Sequence, residues 1–147
     1  MATLAPHEVT RLVELTEAHA YAEWVAASSE ATVSQLGLRC EQLGSATALI
    51  ISELDISLFN RVLGVGVVEP ATEELIARIS ALYAPTGNSF VVPIAPTAQP
   101  AELVTWLEQR GSFGYLTSKP RSGAIFFTSI ARRFSAPLSC ATGCNPI

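Results

Sequence analysis

The hydrophobic periodicity of this chain changes at Gly37, and that change orders its elements. From Pro6 to about Ser28, apolar residues (Val9, Leu12, Val13, Tyr21, Trp24, Val25) recur at three to four residues, the spacing of one helix face. Glu8, Arg11, Glu14, Glu17 and Glu23 fall on the other face. The spacing predicts a long helix opened by Thr3 or Pro6, with Tyr21 and Trp24 in the core. A second, short helix is expected from Ser29 to Leu36, capped by Ser28 or Ser29 and stopped at Gly37.

Beyond Gly37 the period falls to two. Leu38 to Leu43 alternates as a partly exposed strand, Gly44 and Ser45 make a turn, and Ala46 to Ser52 is apolar enough for a sheet interior. A third strand is read over Asn60 to Val68, thinned by Gly64 and Gly66. Pro70 and Thr72 open a helix striped with Leu75, Ile76, Ile79, Leu82 and Tyr83. Its first turn carries Glu73 and Glu74, where the helix dipole favours acids. Ser89 to Ala95 is a fourth strand, and Pro93 within it suggests an edge, a bulge or a distorted end. Ala101 to Arg110 is the last helix, ended by Gly111. Three strands that can form an antiparallel meander, then two strand–helix alternations, predict an α/β (α+β) fold: a mixed sheet with flanking helices.

Composition narrows the function classes. In 147 residues, 49% hydrophobic and 15% charged, there is material for one folded domain. No apolar run approaches the ~20 residues that span a bilayer. The first residues lack the basic region and apolar core of a signal peptide, so a cytoplasmic location and no membrane partner are expected. Three cysteines give no disulfide framework, and Cys140 and Cys144 have no nearby His to complete a metal shell, so no metal site is expected. Thirteen acids against five arginines give residues 1–111 a formal charge of −8, the wrong sign for a nucleic-acid surface.

The order of elements, with the residues at its joints, resembles the GNAT superfamily of N-acetyltransferases. The likeness is to a bacterial subgroup in which a divergent N-terminal part precedes a standard acetyltransferase core. The segments that carry it are EAHAYAEWVAAS (17–28), LGLRCEQLGSATALI (36–50), LFNRVLGVGV (58–67) and PAELVTWLEQRG (100–111). Of these, LFNRVLGVGV followed by the acidic helix PATEELIARI is the most specific. The resemblance implies acetyl-CoA as cofactor. Its acetyl group would pass to the amine of a small molecule or to a protein amino group. In that superfamily the coenzyme pyrophosphate is held by backbone amides of a glycine-containing loop running into a helix N-terminus. The matching positions here are Gly64, Gly66 and Val67. The loop is shorter than the family's, has no leading basic residue, and is followed by Pro70, which has no N–H to give.

No catalytic residue is assigned. The last helix has Trp106 where the family commonly places the tyrosine that protonates the leaving thiolate. Glu53 and Asp55, at the end of a strand, read as general bases or, more simply, as exposed loop carboxylates. Asn60 and Arg61 read either as a bridge to a partner or as pins for the start of a strand.

All acids lie before Gly111; residues 112–147 carry Lys119, Arg121, Arg132 and Arg133 and no acid. The break coincides with the end of the resemblance. A two-nucleotide shift of the codons would permit, through degeneracy, a family-like continuation. The expectation is therefore a GNAT-like N-terminal domain over 1–111 and an atypical basic tail over 112–147, out of frame and cut by protease near Lys119–Arg121. Such a chain is a truncated acetyltransferase that lacks the catalytic coenzyme-binding core. The alternative is a small α/β binding or dimerisation module, a homodimer with an open sheet edge near the fourth strand.

Overall fold

The computed structural model describes residues 4–110 and 114–117. Helix α1 (Pro6–Ala27) begins with proline in its first turn, and the Glu8 carboxylate accepts the Ala5 N–H at 2.7 Å. Helix α2 (Glu30–Leu36) is capped by Ser29, whose hydroxyl accepts the Thr32 N–H, and it ends at the left-handed Gly37. Strands β1 (Leu38–Leu43) and β2 (Ala46–Ile51) form an antiparallel hairpin in register from Leu38↔Ile51 to Leu43↔Ala46. Every residue of β2 is buried, as its apolar sequence requires of an interior strand.

Strand β3 (Arg61–Leu63) pairs antiparallel with β2. It is far shorter than the Asn60–Val68 expected. At Gly64 and Gly66 the backbone takes φ of +77° and +74°, a turn conformation in which no ladder continues. Helix α3 (Glu73–Tyr83) is capped by the Thr72 hydroxyl on the Leu75 N–H, at the second of the two residues expected to open it. A 3-10 turn (Ala84–Thr86) leads to β4 (Val91–Ile94), then to α4 (Leu103–Gln109) and β5 (Gly114–Thr117). The sheet order is β1-β2-β3-β4-β5, with β3–β4 and β4–β5 parallel. The expected α/β class, a mixed sheet flanked by helices, is the one observed.

Pro93 does not make β4 an edge, since β4 lies between β3 and β5. The β3–β4 ladder has one rung, Arg61↔Val91. The Val91 N–H donates to the Asn60 carbonyl, so odd-numbered positions of β4 turn their nitrogens toward β3. Pro93 therefore turns its missing donor toward β3, opposite Leu63, and the ladder does not continue past its one rung.

Two unequal cores sandwich this sheet. On one face α3 and α4 bury Ile76, Ile79, Tyr83, Leu103 and Leu107 against Ala48, Ile50, Val62 and Val92. On the other, Tyr21 and Val25 of α1 and Leu36 of α2 pack on Leu38, Leu49 and Ile51. Helix α1 is rotated from the orientation its periodicity suggested. Its inward positions are Thr10, Glu14, Glu17, Ala18, Tyr21 and Val25, while Val9, Leu12 and Val13 are 45–58% exposed. Trp24, expected in the core, is 41% exposed. The reason is polar: Glu14 and Glu17 find partners on the sheet, as described next.

Candidate functional site

The family-like joint lies where β3 ends. Its turn is built on Gly64 and Gly66, and the inward face of α1 crosses it. The Glu14 carboxylate accepts the Gly64 N–H at 3.0 Å. One turn on, Glu17 pairs with the Arg61 guanidinium at 3.0 Å, and Arg61 also donates to the Tyr21 hydroxyl at 3.1 Å. Tyr21 in turn donates to Glu17 at 3.3 Å, and its ring lies 5.7 Å from the Arg61 guanidinium carbon. Burial pushes the Glu14 carboxyl up from its ordinary pKa; the Gly64 N–H opposes the rise, Glu17 adds to it and Arg61 opposes it.

The far side of the turn is closed by the segment between β4 and α4. The Gln99 N–H donates to the Gly66 carbonyl at 2.8 Å, and the Gln99 carbonyl accepts the Ala71 N–H at 2.7 Å. A Cβ on Gly66 would collide with the Gln99 backbone, so glycine here permits a close approach of two chain segments. The Val67 N–H is spent within the turn on the Gly64 carbonyl at 3.3 Å. Glu69 turns back to the hairpin, where its carboxylate accepts the Ser45 N–H at 3.1 Å. Between this turn and the start of α1 is a cleft of about 460 Å³, lined by His7, Arg11, Gly66, Val67, Glu69 and Thr97 among others.

These residues do not fit a coenzyme diphosphate held in the way the resemblance implies. Such a group needs free amides and positive charge. Of the three positions singled out in the sequence, Gly64 and Val67 have their N–H groups committed internally and Gly66 has backbone packed against it. Glu14 and Glu69 bring negative charge to the turn, and Arg11 and His7 are the basic side chains on the cleft. Glu14 could not be recognised as a partner from local spacing, because it is 50 residues from Gly64.

The other polar residues weighed in the sequence are structural. Asn60 is fully buried: its Oδ1 accepts the Ile51 N–H at 2.8 Å, and its Nδ2 donates to the Leu54 carbonyl at 2.9 Å. It pins the connection from β2 to β3. Asn88, unremarked in the sequence, braces the same loop by donating to the Ser52 carbonyl at 2.8 Å. Asp55 accepts the Ser89 N–H at 2.8 Å, and Glu53 is an exposed carboxylate bonded to the Ser52 hydroxyl. Trp106 packs partly buried against the larger core. Tyr83 shares its hydroxyl between the Leu49 and Arg61 carbonyls at 2.7 and 3.2 Å and stacks on Phe90. Burial raises its pKa.

Among the described residues no group of three metal-ligating side chains comes together, and no helix is long and apolar enough to cross a membrane. Of the tail over 112–147 the described residues include β5; its basic residues, Cys140, Cys144 and the expected cleavage near Lys119 lie outside them. Compared with protein-family models, curated proteins and solved structures, the chain matches none.

Proposed function

We propose that this chain is an acetyltransferase-like module that serves binding or assembly and does not itself transfer acetyl groups. The observation that carries the reading is the internal occupation of the Gly64–Val67 turn, by Glu14 from one side and Gln99 from the other. Kinship with N-acetyltransferases is supported by the antiparallel meander leading into a parallel strand–helix–strand, with a one-rung ladder at the joint where the superfamily places its coenzyme. The carboxylate and tyrosine beside the turn, Glu17 and Tyr21, are both held by the Arg61 guanidinium, which ties up the groups that acyl transfer to an amine would call on.

A second reading rests on one observation, the cleft that His7 and Arg11 share with the turn. An acyl-coenzyme could set its phosphates against those two side chains instead of against backbone amides. Its acyl group would then go to a small-molecule or protein amine. Titration calorimetry with acetyl-CoA separates the two. The module gives no saturable heat. Stoichiometric binding that Arg11→Ala weakens would replace the first reading with the second.

A further inference from the structure

Strand β1 closes one end of the sheet, and the described residues offer it β2 as its sole ladder partner. Six residues are a long run of backbone to leave open, and natural edges are usually blunted by charged side chains, proline or bulges. β1 has no proline, and its charges are one of each sign. Its sequence, LRCEQL, places an arginine and a glutamate symmetrically about Cys40. Arg39 and Glu41 lie on one face, bonded to each other at 3.5 Å, with side chains 48% and 39% exposed. Both are solvated enough to take a second partner.

We propose that β1 pairs antiparallel with β1 of a second copy about a two-fold axis at Cys40, joining two five-stranded sheets into one. An antiparallel pair centred there sets Arg39 opposite Glu41 of the other copy, twice, and Cys40 opposite its own counterpart. Leu38 faces Gln42 of the other copy. Directly opposed opposite charges favour an antiparallel pair, and opposed like charges disfavour it. A two-fold interface is self-complementary by construction, so an Arg–Cys–Glu triplet satisfies it where Arg–Cys–Arg would not. The edge charges that ordinarily repel another strand here select a copy of this one. The surface stands apart from the Gly64 turn and does not depend on whether the chain binds a coenzyme.

The full chain tests this by sedimentation velocity over a concentration series. The native chain should self-associate reversibly. R39E puts glutamate against glutamate at both pairs and E41R puts arginine against arginine, so each alone should weaken association by about tenfold or more. An equimolar mixture of the two variants restores both opposite-charge pairs and should associate as the native chain does. In a C140S/C144S background, diamide should link the two Cys40 thiols. The thiols give up two electrons and two protons to the diamide, and a disulfide dimer forms. Opposed residues of an antiparallel pair lie about 4.5–5.5 Å apart at Cα, within disulfide reach. A native chain that stays monomeric at its highest soluble concentration overturns the proposal. So does association that neither charge variant weakens, or a mixture no better than its components.

Discussion

Helices α3 and α1 cover opposite faces of one sheet by opposite means. In eleven residues α3 buries Ile76, Ile79 and Tyr83; in twenty-two, α1 buries only Ala18. Among the described residues fifteen buried ones make up the core on the α3 side and three make up the other, so most of their hydrophobic stabilisation lies under α3. What α1 offers the sheet is a row of polar anchors, Glu14 on Gly64 and Glu17 with Tyr21 on Arg61. A long amphipathic pattern thus need not mark the more firmly seated helix. Where a sheet presents an arginine and an unpaired N–H, acids can turn inward and leave valine and leucine outside.

Substitutions under each helix can break this contrast. The largest effect is expected at Ile79→Ala, which empties fully buried volume beneath α3 and should cost about 2–5 kcal/mol in urea unfolding. A loss under 1 kcal/mol would mean that the α3 core is not the dominant one.

Glu14→Gln probes the other face and should change stability less. The folded state raises the Glu14 pKa, so folding favours the protonated acid. Its contribution is complete below the unfolded carboxylate pKa and is lost as pH rises through the raised folded value. Glutamine imitates the protonated acid and can still accept the Gly64 N–H. The variant should therefore unfold at higher urea than the native chain at neutral pH, with the gap closing on acidification toward about pH 4. A variant less stable at neutral pH would show that the carboxylate's bond to Gly64 outweighs its burial. The smallest effect is expected at Leu12→Ala, on the outward face of α1, within about 0.5 kcal/mol. A larger loss would place Leu12 in a packed environment and erase the distinction between the two faces.

Much of the fold was legible in the sequence where local signals were strong. Thr72 before Glu73–Glu74 gave the start of α3, the unbroken apolar run gave β2, and Gly37 gave the switch from helix to strand. What failed to show was anything decided by residues far apart. The rotation of α1 is set by Arg61 and Gly64, 40 and 50 residues beyond their partners, and a spacing of three to four residues fits either face of the helix. Gly64 and Gly66 stood out in the sequence as thin places in a strand, but what approaches them there was not legible. That the approaching groups would be Glu14 and Gln99, with no ligand needed, is a tertiary fact. Asn60 was left between two roles because burial alone chooses between them, and it is fully buried.

The single rung between β3 and β4 has a mechanical meaning. The sheet is two smaller sheets set side by side, like boards joined along a seam with one nail. The meander on one side is held by three register pairs between β2 and β3, against one between β3 and β4. Beyond that nail, the joint is closed by the strap from Gly66 and Ala71 to Gln99. A load that pulled the boards apart would be carried by that strap at one end of the seam and, at the other, by Asn88 on the Ser52 carbonyl and the Ser89 N–H on Asp55.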